Sequence, residues 1–154
     1  LSGGNGADVY KFNATGALNG NDAITMVVAD DKLDFSNMGT FTFNTTEATL
    51  AGVNDVLLDN KITLLVDGDN ALGTDTAAEV AALIQGNGDA MHLSSGGKGI
   101  VISGYDGDAG DSAVVFLVDD TVGATAGTIQ TDDVVIIGTF ATFDLDTLTT
   151  ANFV

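Results

Sequence analysis

Three apolar runs constrain this chain more than any other feature: Ile100-Val-Ile, Val114-Val-Phe-Leu-Val and Val134-Val-Ile-Ile. A strand with one face in water alternates polar and apolar residues. A run without alternation has no face to give to solvent, so it belongs in a sheet covered on both sides. The residues are mostly β-branched, which suits a pleated surface better than a helix. Strands are therefore expected at 99–103, 113–119 and 134–140, lying between a helix and another sheet layer. A further strand is expected at 128–130.

The covering helix is also legible. Thr76-Ala-Ala-Glu79 fits a capping box, in which the Thr hydroxyl and the Glu carboxylate each satisfy a free backbone N–H. Ala77, Val80, Ala81, Leu83 and Ile84 follow at helical spacing, and Gly86 stands where a helix commonly stops. A helix at about 75–85 is predicted, with Val80, Leu83 and Ile84 facing the sheet. The first half reads as short strands at 9–12, 24–28, 40–43 and 62–66, with 53–59 open between strand and loop. Residues 143–154 read as a short docking segment. Pro is absent, so turns depend on the 20 Gly with Asn and Asp.

The N-terminal residues Gly3-Gly-Asn-Gly-Ala-Asp-Val-Tyr-Lys11 follow the pattern G-G-x-G-x-D-x-U-x, with Tyr10 in the apolar position. This resembles the nonapeptide calcium-binding repeat of secreted RTX proteins. Asn21-Asp-Ala-Ile-Thr-Met-Val-Val-Ala-Asp-Asp-Lys-Leu-Asp-Phe-Ser36 is similar to the end of an RTX array. The chemistry agrees with the residue types. Glycines open backbone angles that turn carbonyls to a common point, and carbonyl and carboxylate oxygens are what Ca²⁺ prefers. Gly4, Gly6 and Asp8 are the leading calcium ligands. Asp22 and Asp31 either complete the site from the next coils or serve as turn residues.

The second half has a resemblance of its own. Asp75-Thr-Ala-Ala-Glu-Val-Ala-Ala-Leu-Ile, Leu93-Ser-Ser-Gly-Gly-Lys, Val134-Val-Ile-Ile-Gly-Thr-Phe and Asp144-Leu-Asp-Thr-Leu-Thr-Thr-Ala-Asn-Phe look like the C-terminal module of large bacterial surface and RTX-type proteins. That resemblance implies export by type I secretion, with an uncleaved C-terminal signal that Asn152-Phe153-Val154 would fit. The chain begins at Leu1 and reads as the C-terminal piece of a longer protein.

Charge narrows the partners. The 154 residues hold 22 acidic and 4 basic side chains, a net charge of -18, and every acid except Glu47 and Glu79 is Asp. Lys11, Lys32, Lys61 and Lys98 cannot neutralise a row of phosphates, which argues against nucleic acid and against an anionic membrane surface. No apolar run approaches the roughly 20 residues that cross a bilayer. The 45% hydrophobic content argues against disorder. Cys is absent, so a secreted chain would need a staple other than disulfides.

Other candidates are weaker. Asp106, Asp108 and Asp111 begin like an EF-hand, but Asp111 stands where that loop needs Gly and Leu117 where it needs Glu. A solvated loop is the favoured reading. Asp67-Gly-Asp-Asn70 reads as a tight turn, and Asp119-Asp120 and Asp132-Asp133 as turn or edge charges. The lone His92 cannot form an ordinary zinc site, and no nucleophile elbow links it to Ser94 or Ser95, so no catalysis is expected. The sequons at Asn13-Ala-Thr15 and Asn44-Thr-Thr46 read as chance.

The expected architecture is mainly β (α+β by count). Residues 1–36 would be the last coil of a calcium-binding parallel β-roll and its closing strands. Residues 37–154 would be a β-sandwich-like module with one helix, packed as one unit with 1–36. The expected function is an extracellular calcium-binding structural module that folds on secretion and supports surface attachment or self-assembly through strand edges. The alternative is the calcium-stabilised export module of an RTX enzyme such as a protease or lipase. A carbohydrate-binding sandwich is disfavoured by the lack of Trp and the two Tyr.

Overall fold

The computed structural model describes residues 1–44, 48–49, 56–67, 76–84, 91–105, 112–123, 128–140 and 144–154. In chain order these form β1 (Val9–Lys11), α1 (Gly16–Asn19), β2 (Asp22–Ile24), β3 (Lys32–Asp34), β4 (Thr42–Phe43), β5 (Ala48–Thr49), β6 (Val56–Leu57), β7 (Lys61–Asp67), α2 (Ala77–Leu83), β8 (Met91–His92), β9 (Lys98–Tyr105), β10 (Ala113–Asp119) and β11 (Val134–Phe140). Single 3-10 turns lie at Thr131–Asp133, Leu145–Thr147 and Thr150–Asn152. The fold is β-rich α+β with mixed sheets.

The three apolar runs are β9, β10 and β11, side by side in a seven-stranded sheet ordered β2-β11-β10-β9-β7-β4, with β5 also on β7. β10 runs antiparallel to both neighbours. The outer pairings, β2 on β11 and β7 on β9, are parallel. Every residue of β10 is buried. Val115 and Leu117 join Ile62, Leu64, Ile100 and Ile102 in one core; Val114, Phe116 and Val118 join Leu65 and Val101 in another. Burying each such side chain contributes about 1.5–3 kcal/mol, so a run that is apolar on both faces demands two covers.

α2 and the parallel pair β6-β8 cover one face, through Val80, Ala81, Ile84, Val56 and Met91. β1, β3 and the C-terminal segment cover the other, through Tyr10, Leu33, Phe35, Leu145 and Leu148. The docking role expected of the C-terminus is present: Phe153 bridges to Leu33, Val154 donates its N–H to the Leu33 carbonyl, and Phe153 stacks on Phe43 at 4.9 Å.

Several boundaries differ from expectation. The capping box forms, but α2 stops at Leu83, because Ile84 turns extended and bridges to Met91. The strand expected at 24–28 ends at Ile24. Thr25 bridges to Ser2, and the chain then turns over Val27 to Asp31 because the Asp31 carboxylate accepts the Val27 N–H. The segment 128–130 leads into a 3-10 turn instead of a strand, since Asp133 accepts the Gln130 N–H. The one-turn α1 was not expected. It lies so close to β11 that a Cβ on Gly16 would sit 2.7 Å from Val135. Asp75, Gly86 and parts of the 53–59 and 143–154 readings lie outside the described residues.

Candidate metal centre

β1 and β3 pair in parallel, Val9 opposite Lys32 and Tyr10 opposite Leu33. Parallel strands start at the same end, so Asp8 and Asp31, each one residue ahead of its strand, are neighbours. The contact is direct. Lys32 donates its N–H to the Asp8 carbonyl at 2.9 Å, and Asp8 donates its own to Asp31 Oδ1 at 3.0 Å. Asp31 Oδ2 accepts the Val27 N–H at 2.7 Å. With 1% exposure, Asp31 is a buried carboxylate whose two oxygens tie the loop before β1 to the turn before β3.

Asp8 is placed differently. Its side chain lies against Gly3, where a Cβ would come within 2.2 Å of Asp8 Oδ2, so only glycine fits. That oxygen is buried and has no hydrogen-bond partner. A buried carboxylate oxygen without a donor costs free energy. Gly4 and Gly6 stand at φ of 87° and 113°, left-handed backbone that other residues adopt poorly. Nothing crowds either Cα, so conformation alone asks for glycine there.

Tyr10 joins the cluster through its hydroxyl. Its hydroxyl accepts the Gly3 N–H at 2.9 Å and donates to the Thr25 carbonyl. Burial raises the Tyr10 phenol above its ordinary value; the negative Asp31 and Asp8 push the same way, against the Gly3 N–H. Two carboxylates thus act on one hydroxyl. Asn152, 5% exposed, reaches in from the C-terminal segment and donates to the Val28 carbonyl at 2.6 Å and the Asp31 carbonyl at 3.3 Å. Asn152 lies more than a hundred residues from that turn, and no local signal in the sequence announces its part.

Asp22 starts β2 opposite Gly138 and is not brought into a group with Asp8 and Asp31. Among the described residues, no group of three or more His, Asp or Glu side chains could hold a metal ion. Asp106, Asp108 and Asp111 lie outside the described residues, as do most of Asp67-Gly-Asp-Asn70 and the Asn44 sequon. The residues that do meet join one orphaned carboxylate oxygen to a loop with two glycines in left-handed backbone. A hard cation held there would take its further oxygens from backbone carbonyls not already bonded, as the Asp8 carbonyl is to the Lys32 N–H.

A second set of acids gathers where β9 begins and β10 ends. Asp119 pairs with Lys98 at 2.7 Å and accepts both the N–H and hydroxyl of Thr121. Burial pushes its carboxyl up, but Lys98 and Thr121 outweigh that and hold it below the usual range. Asp120 accepts the Gly96 N–H at 2.6 Å; Asp133 accepts those of Gly123 and Gln130; Asp59 accepts the N–H and hydroxyl of Ser94. These acids cap turns.

No protein-family model matches the chain, and comparison with curated proteins and with solved structures returns no match.

Proposed function

We propose that this chain is a calcium-binding, non-catalytic structural module that works outside the cell, stabilised by calcium held in the loop of residues 3–8. The observation that carries this reading is the buried, partnerless Asp8 Oδ2 packed on Gly3, in the loop that places Gly4 and Gly6 in left-handed backbone. A cation there neutralises an oxygen that no protein donor reaches. Asp8 would be the carboxylate ligand, and Asp31 would hold the loop in place from its buried position.

Calcium that binds only the folded form stabilises it by mass action. For a chain of charge -18, neutralisation also relieves self-repulsion. A low-calcium interior would leave the chain loose for export, and a calcium-rich exterior would fold it. In this reading β1 and β3 are the terminal coil of a parallel β-roll.

Self-assembly is the second part of the proposal. The far edge of β2 is occupied, since Thr25 donates to the Leu1 carbonyl and bridges to Ser2. β1 ends its two-stranded sheet and exposes 57% of Val9. An edge of this kind accepts an added strand. The test is circular dichroism with light scattering as calcium is added to chelator-treated protein. Gain of β structure followed by large particles supports the whole reading. Folding to a monomer favours an export module without assembly. A chain that responds to no calcium overturns the proposal.

A further inference from the structure

We propose that Asn5 is a site of spontaneous deamidation, so that the loop bearing Asp8 gains a second carboxylate as the protein ages. The chemistry needs an Asn followed by Gly, a free side chain and a backbone able to bend. The Gly6 nitrogen attacks the Asn5 side-chain carbonyl carbon and gives up its proton. The bond to the side-chain nitrogen breaks, and ammonia leaves. Water then opens the five-membered imide at either carbonyl, giving aspartate or isoaspartate. The net change consumes one water and releases one ammonia.

The chain provides its own comparison. Asn5-Gly6 and Asn19-Gly20 carry the same dipeptide. Asn5 is exposed, and among the described residues neither Asn5 nor Gly6 has a hydrogen-bond partner. No atom lies within 4 Å of a Cβ built on Gly6, so the loop has room to move. Asn19 is held. Its Oδ1 accepts the Asn13 N–H at 2.6 Å, and its Nδ2 donates to the Asn13 carbonyl at 3.2 Å and the Thr15 carbonyl at 2.8 Å. Attack at Asn19 requires breaking those bonds first, whereas attack at Asn5 breaks none. The third such dipeptide, Asn87-Gly88, lies outside the described residues.

Conversion at Asn5 is expected to be roughly tenfold faster than at Asn19, the protection that one or two net hydrogen bonds confer. The test is incubation of the full folded chain at mildly alkaline pH, then tryptic mapping by mass spectrometry. The four lysines separate the two sites: residues 1–11 contain Asn5 as their only Asn, and residues 12–32 contain Asn13, Asn19 and Asn21, among which fragmentation of the peptide locates the change. In denaturant the two sites should convert at similar rates. Asn5→Gln should abolish the change in the first peptide. Equal rates in the folded chain, or faster loss at Asn19, would overturn the proposal, as would an unchanged first peptide after the second has converted.

Discussion

The two acid-rich ends of the molecule use the same side chain for different work. Around β9 and β10, each described carboxylate meets a donor: Asp119 has Lys98 and Thr121, Asp133 has two backbone N–H groups, and Asp59 has Ser94. Around β1 and β3, Asp31 is satisfied in the same manner, but Asp8 keeps a buried oxygen with no donor. Burial of an acid is therefore not itself the mark of a cation site, since Asp133 at 1% exposure is a turn cap. A missing donor is not the mark by itself either, since Asp120 Oδ1 and Asp144 Oδ1 are also buried without a hydrogen bond. What sets Asp8 apart is the loop that carries it, with Gly4 and Gly6 in left-handed backbone, and on the proposed reading that loop responds to calcium.

The largest effect should come from Asp31→Ala, which strands the N–H groups of Asp8 and Val27. The expected loss is about 2–4 kcal/mol by denaturant unfolding, a large share of a domain's total stability. Asp133→Ala should cost a similar amount. If the comparison holds, calcium widens the first defect, because a loop without Asp31 binds it less tightly, and leaves the second untouched. Equal calcium responses would erase the distinction between the two ends.

Next comes Asp8→Asn. Calcium at one hundred times its dissociation constant should stabilise the native chain by about 2.7 kcal/mol, and the variant should lose that gain. Without calcium the variant should match or exceed the native chain, because an uncharged amide is cheaper to bury. Thermal unfolding with and without chelator reads both. A variant that is weaker without calcium and normal with it would break the assignment.

Lys98→Met tests the other end. Lys98 is 37% exposed, so the loss at neutral pH should be about 1 kcal/mol after solvent screening. The Asp119 pKa is depressed in the folded state, so its pairing stabilises above the ordinary carboxylate pKa. That contribution disappears as pH falls through the depressed value. The gap between native and variant should therefore close in acid, measured by urea unfolding at stepped pH.

The smallest effect concerns another orphan. Thr63 is fully buried in β7 and its hydroxyl has no partner. It is neutral, so no cation is called for, and Thr63→Val should raise stability by about 0.5–1 kcal/mol with no change in calcium response. A loss of stability would show that the hydroxyl contributes something its surroundings do not reveal.

Much of the fold was legible in sequence. β10 spans the residues read as its apolar run, β11 likewise, and Thr76 and Glu79 form the predicted cap. These are local matters of period, propensity and end chemistry. The misread segments are those where a distant group decided. Ile84 left its helix for Met91, and the strand expected at 24–28 was cut short by Asp31. For the candidate site, the glycine spacing pointed to Gly4 and Gly6, which stand in left-handed backbone, and to Asp8, which packs on Gly3; that calcium binds there belongs to the proposal. The spacing could not show that Asp31 would be consumed by two N–H groups or that Asp22 would stand elsewhere.

The sequence by itself determined that this chain is an acidic, β-rich protein with a sheet buried on both faces, because alternation and its absence follow from side-chain geometry along one strand. The tertiary structure alone decided which acids meet. The parallel pairing of β1 with β3 brings Asp8 beside Asp31, and Asn152 fastens the turn from the far end of the chain. Contacts between residues far apart in sequence are fixed by packing, and no local pattern encodes them.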